Sequence, residues 1–278
     1  MVASDEWRRL VRRTRTKVAL LLFGVWVCVP SIGEAVRRMT IRNAQAEANR
    51  QAWALIRPYD VEVARWLREC PHALVVATVV QLNLTAVLTL LLAFDTMSRE
   101  VPAHPDRSPF AVVLGKALSV LGLVTLGSVV AQSIVCGVQI MAHGDSSSTL
   151  SWALATVCWV PIFATSYVAL WIFLSASAPT PRLTLFIGAA VLTAFSIGRL
   201  LLRAHFNHQI LPSMLDTSFL SGRWDSRLSA LAIAAMWSSA SLFGAATIVE
   251  RRRHGTRRAG DQMQQVVHHP AKPGAFDM

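Results

Sequence analysis

The chain has 278 residues, of which 53% are hydrophobic and 15% charged, and its formal net charge is +11. A soluble globular chain carries about 25% charged residues, so composition excludes an ordinary soluble domain. The charges cluster at the ends and in a few loops, which leaves long bare runs and implies an integral membrane protein. The basic clusters abut apolar runs, a placement that sets topology and meets anionic headgroups, and no nucleic-acid-binding module accompanies them. Nucleic acid is therefore not expected as a partner, whereas the lipid bilayer is.

Residues 1–17 include SDEWRRLVRRTRTK, which predicts a cytoplasmic, basic, amphipathic helix. Ser4 can cap it, Asp5 and Glu6 sit near the positive end of the helix dipole, and Trp7, Leu10 and Val11 share one face. Such a helix lies in the headgroup region with its apolar face toward the acyl chains; a plain topology-setting tail is the alternative. The first apolar run, 18–36, barely reaches spanning length. A basic stretch before a short apolar core resembles a signal peptide, but SIGEAV has no small-x-small cleavage pattern, and cleavage is not expected.

Residues 37–72 are polar, with arginines and acids interspersed. They hold two helical pieces separated at Arg57-Pro58, because the residue before a proline avoids the α region. This predicts a small helical outer loop. The second span, 73–94, carries Gln81, Asn83 and Thr85. Side-chain amides inside a bilayer are costly unless paired, so they should face other helices. Gln81 and Asn83, with Gln132 on the third span, are the candidate translocation-path residues; interhelical glue is the other reading.

A polar strip, Asp95 to Lys116, then separates two uncharged runs. The third span covers 117–140, the fourth 150–176 with Pro161 inside it, the fifth 183–202 and the sixth 228–249. Pro161 is tolerated where neighbours satisfy the freed carbonyl. Residues 250–278 form a basic tail, read as disordered. The fold class is thus an all-α integral membrane protein with six transmembrane helices, an N-terminal amphipathic interfacial helix and a small helical outer loop. With the N-terminus inside, about sixteen of the 27 basic residues fall on the inner side. The bias places both termini in the cytoplasm.

Signatures of chemistry are sparse. Gly115-Lys116 lacks the earlier glycine and the following Ser or Thr of a phosphate-binding loop, and no HExxH or GxSxG pattern occurs. His205 and His208 have zinc-compatible spacing but read better as interfacial histidines. Cys28, Cys70, Cys136 and Cys158 show no metal-like spacing, so neither a disulfide nor a metal site is inferred. The spans carry almost no charge at mid-bilayer depth, which argues against proton-coupled transport and intramembrane hydrolysis.

The ends of the central strip are more specific. Phe94-Asp95-Thr96-Met97-Ser98-Arg99-Glu100, followed by Val113-Leu114-Gly115-Lys116-Ala117-Leu118, resembles the corresponding segments of ABC transporter permeases of the type-2, exporter-like class. The six-span layout, cytoplasmic termini and entry helix agree with that class. The resemblance implies a permease subunit without enzymatic activity or cofactor of its own. It would work with a separate ABC ATPase, as a homodimer or as a heterodimer with another permease, and move an unidentified substrate across the bacterial inner membrane. It further implies that Asp95, Ser98, Arg99, Glu100 and Lys116 belong to the ATPase-docking loop. The segment between the two motifs departs from the class in being shorter, and Pro102, Pro105 and Pro109 leave room for little more than one helical turn. A non-catalytic multi-pass scaffold, or an accessory subunit of an envelope complex, is the rival expectation.

Overall fold

The computed structural model describes residues 2–41, 72–97, 108–143, 147–205 and 224–268. Most of the outer loop 37–72, the loop residues Ser98, Arg99 and Glu100, and the end of the tail lie outside the described residues. Among the described residues there are seven helices and no strand: α1 (Val2–Arg12), α2 (Thr14–Ile41), α3 (His72–Ala93), α4 (Pro109–His143), α5 (Ser147–Ser177), α6 (Pro181–His205) and α7 (Trp224–His268). Four stretches are long and apolar enough to cross a membrane: Pro109–Met141, Thr149–Ser177, Pro181–Gly198 and Arg227–Gly255. Ala77–Ala93 is a shorter apolar helix. The chain is a helical membrane protein.

Local chemistry sets several helix limits beyond the apolar runs. Ser108 caps α4 by accepting from the Ala111 amide at 3.1 Å, and Thr180 caps α6 by accepting from the Leu183 amide at 3.3 Å. In both cases proline follows the cap, at the one helical position where its missing N–H costs nothing. Pro109 therefore opens α4 instead of interrupting a loop, and the helix begins eight residues before the expected span at 117.

At the N-terminus the expected single helix over 1–17 is two. The chain breaks at Arg13, whose amide donates to the Leu10 carbonyl at 3.1 Å, and α2 restarts at Thr14. At the other end α7 runs on to His268, where the composition leads one to expect a disordered tail from 250. The stretch past Val249 contains Ala, Arg, Gln and Met, good helix formers, and no proline before Pro270.

In the bundle, α2 packs on α3 and α4, and α5 packs on the same two helices from the other side. α7 lies along α5 and α4, whereas α6 touches only α5 and α3 appreciably. α5 is the interior helix: Trp171 and Ile172 are fully buried, with Tyr167 and Val168 nearly so. The Trp171 indole N–H reaches the Ala86 carbonyl at 3.2 Å and the Thr89 hydroxyl at 3.1 Å, tying α5 to α3. Leu183, Leu185, Phe186 and Ile197 of α6 are exposed, as side chains facing lipid would be. Of the cysteines, Cys28, Cys136 and Cys158 are free.

α1 does not lie free on a membrane surface. Leu10 is fully buried, and the Trp7 ring packs so closely on α4 that a Cβ at Gly122 would stand 2.8 Å from it. Of the face expected to dip into lipid, Trp7 and Leu10 pack on the helix bundle instead, while Val11 stays exposed.

Candidate functional site

Four residues at the end of α3, Phe94 to Met97, form a turn that holds the start of the central polar strip. The Phe94 amide donates to the Leu90 carbonyl at 3.0 Å and the Thr96 amide to the Ala93 carbonyl at 3.1 Å, so the helical winding tightens before it ends. The Thr96 hydroxyl reaches the same Ala93 carbonyl at 2.8 Å. Asp95, Thr96 and Met97 are all buried.

Three separate elements grip this turn. From the α1–α2 junction, Arg13 donates to both carboxylate oxygens of Asp95 at 2.9 and 3.1 Å, and Arg15 donates to Oδ1. The Arg15 guanidinium also stands 4.7 Å from the centre of the Phe94 ring, a cation–π contact. From α4, the Lys116 ammonium donates to the Thr96 carbonyl. From α5, the Ser175 hydroxyl donates to the Phe94 carbonyl at 3.1 Å and accepts from the Met97 amide at 3.1 Å.

The electrostatics follow from burial and charge. Burial by itself pushes the Asp95 carboxyl upward in pKa, but hydrogen bonds and charges from Arg15 and Arg13 outweigh it and hold the group below the ordinary carboxylate range. Lys116 is only 1% exposed; it turns inward to the turn and does not snorkel to the membrane surface. The carboxylates of Glu6 and Asp95 act on its charge. Glu6, itself buried, pairs with Arg9 at 3.6 Å. α1 thus contributes an acid, and the junction after it two arginines, to one polar cluster.

Of the sequence-derived docking residues, Asp95 and Lys116 are therefore brought together, while Ser98, Arg99 and Glu100 lie outside the described residues. Asp95 is engaged internally by Arg13 and Arg15. Those two arginines, Glu6 and Ser175 are the participants that local sequence reading misses. The arginines read as topology charges, and nothing in a pattern links them to an acid some 80 residues away.

Among the path residues, Gln132 on α4 donates through Nε2 to Oε1 of Gln81 on α3. Both side chains are buried. Asn83 is not with them: its side chain is exposed and donates to the Val79 carbonyl of its own helix at 2.8 Å. Nearby, the Trp152 indole donates to the Thr78 hydroxyl at 3.1 Å, and the Thr78 and Thr156 hydroxyls are 3.3 Å apart. The buried Gln139 and Thr85 extend this polar interior.

The helix ends that share the turn also bring basic clusters together. Arg252 of α7 donates to the carbonyls of Ser177 and Ala178 at 3.4 and 3.3 Å, placing a cation at the negative end of α5. Among the described residues, no group of three or more His, Cys, Asp or Glu could hold a metal ion. The turn is thereby fastened to α2, α4 and α5 at once. No protein-family model matches the chain, and no curated protein matches it.

Proposed function

We propose that this chain is the membrane-spanning permease subunit of an ATP-driven, exporter-like transporter. In this reading it has six spans, with α2 and α3 supplying the first two, and both termini lie on the cytoplasmic side of the bacterial inner membrane. A separate ABC ATPase supplies the hydrolysis, and the permease pairs with a second copy or with another permease. The chain's basic clusters at α1–α2 and at Arg251–Arg253 lie toward one end of the bundle, which supports the orientation.

The observation that carries the reading is the three-sided grip on Phe94–Met97. A loop that merely connects two helices has no need of such fastening. A loop on which a motor pushes does, because its displacement must reach several helices at once. The charges that follow it, Arg99 and Glu100, would meet the ATPase, while Asp95 and Lys116 fix the root of the loop. The spans then rock between two packings, and no ATP chemistry falls to this chain.

One observation favours the rival scaffold reading: the Asp95 carboxylate is buried and engaged by Arg13 and Arg15 of its own chain. The experiment that separates the two is affinity purification of the full chain from its native membrane, followed by assay of the co-purifying material for ATP hydrolysis. A bound ATPase that is lost on charge reversal at Arg99 and Glu100 supports the permease. A stable set of partners without nucleotide hydrolysis supports the scaffold.

A further inference from the structure

Much of the polar interior between α3, α4 and α5 is satisfied within the bundle; the Thr149 and Ser166 hydroxyls of α5 have no hydrogen-bond partner among the described residues, and one facing amide pair leaves over both a donor and an acceptor. Thr85 donates to the Gln81 carbonyl at 2.7 Å, Ser128 to the Val124 carbonyl at 2.8 Å, and Thr156 to the Trp152 carbonyl at 3.0 Å. These hydroxyls answer backbone groups of their own helices. The two amides do not finish their pairing. Two carboxamides side by side can exchange two hydrogen bonds, yet Gln81 and Gln132 share one. Nε2 of Gln81 and Oε1 of Gln132 have no hydrogen-bond partner among the described residues, although both are fully buried.

The balance does not depend on which way the amides are turned. Reversing both end for end keeps the single bond and again leaves one donor and one acceptor over. Water cannot make up the difference freely in a bilayer core, where an unanswered polar group is costly. The pair lies deep within the apolar segments. Gln81 is about 21 Å along α3 from Asp95, and Gln132 about 24 Å along α4 from Lys116, at about 1.5 Å per residue. From residue 73 to 94 and from 117 to 141 the sequence has no charged side chain.

We propose that the Gln81–Gln132 pair is a binding site for an uncharged carboxamide group carried by an amphipathic molecule. Such a group presents one acceptor and one donor, the complement of what the pair leaves over, and the absence of charge along both helix segments disfavours a carboxylate or an ammonium in its place. The inference deepens the transporter reading and rests on it for the use of the site, since it names the polar part of what would be carried.

The test uses the purified full chain in detergent without any ATPase. The probe is undecanamide brominated close to its carboxamide end, and the readout is quenching of tryptophan fluorescence. Trp152, hydrogen-bonded to Thr78 one turn from Gln81, lies in range to report it. The expected result is saturable quenching, with apparent affinity weakened about tenfold or more in the Q81M/Q132M variant. The brominated carboxylate and trimethylammonium of the same chain length should give only non-saturating quenching. Equal behaviour of all three probes, or saturable quenching unchanged in the variant, would overturn the proposal and leave the pair as interhelical glue.

Should the variant not fold, the wild-type chain still decides. Unlabelled undecanamide must displace the brominated probe, and N,N-dimethylundecanamide, which keeps the acceptor but has no N–H, must not; equal displacement by both overturns the assignment. ATPase co-purification is measured separately. Its failure would remove the permease reading and leave the binding result standing, and the reverse also holds.

Discussion

Arg13 and Asp95, 82 positions apart in sequence, meet through two hydrogen bonds of 2.9 and 3.1 Å to the two oxygens of one carboxylate. Both bonds come from the one Nη1 nitrogen, so the contact fixes the distance between the two segments and straddles the carboxylate with a single charged donor group. The pair joins the hinge between α1 and α2 to the root of the central strip. Arg15 adds a third bond to the same carboxylate.

Replacing Asp95 with Ala leaves two arginines facing a buried position with no counter-charge. Removing one member of such a pair is destabilising by about 3 kcal/mol when burial is extensive. Arg13→Gln should cost about 1 kcal/mol, because Arg15 remains on the carboxylate. Denaturation of the purified chain in detergent measures both. Equal losses for the two variants would show that Arg15 carries no share.

The pH dependence has a definite sign. The folded pKa of Asp95 lies below its unfolded value of about 3.9, so folding favours the ionised form. That contribution is fully present above the unfolded pKa and is lost as pH falls through the folded one. Wild type should therefore lose stability more steeply than Asp95→Asn below about pH 4. Melting curves of the two chains across that interval check this, and parallel curves would contradict it.

Gly122→Val should loosen α1 from the bundle. The new Cβ would meet the Trp7 ring at 2.8 Å, and overpacking of this kind costs about 1–3 kcal/mol. Trp7→Leu in the same chain should restore part of the loss. Gly24→Ala is the control: nothing lies within 4 Å of its added Cβ, so helix propensity leads to a gain of up to about 1 kcal/mol. Protease sensitivity of the N-terminal segment reads out α1 docking directly.

Trp171→Phe tests the α3–α5 fastening. The ring volume is largely kept, but the Ala86 carbonyl and Thr89 hydroxyl lose their indole donor, at a cost of about 1–3 kcal/mol. Trp171→Ala adds a cavity and should cost about 3–5 kcal/mol. A smaller difference between the two would mean that neighbouring helices collapse into the space.

The apolar runs 117–140, 150–176, 183–202 and 228–249 each fall inside a helix that extends beyond them at both ends. Hydropathy reports where a chain avoids water, whereas caps report where a helix stops, and the two need not coincide. Ser108-Pro109 and Thr180-Pro181 carried the second signal. The separation of Asn83 from Gln81 was also legible: two residues turn a helix by about 200°, so the two amides cannot share a face. The grip on Asp95 was not. An ion pair between segments joined only through the fold has no period, spacing or local composition, and Arg13 has the same sequence appearance as Arg12, which is exposed.

The fastening of the α1–α2 junction to Asp95 bears on how this protein is handled at the bench. A purification tag or fluorescent reporter fused ahead of Met1 sits a few residues from buried Glu6 and loads the hinge that holds the central turn. The same module placed after Met278 is separated from the bundle by the long final helix. Amino-terminal fusions should therefore perturb yield and behaviour where carboxy-terminal ones do not, and a mislocalised amino-terminal reporter would say more about the tag than about the protein.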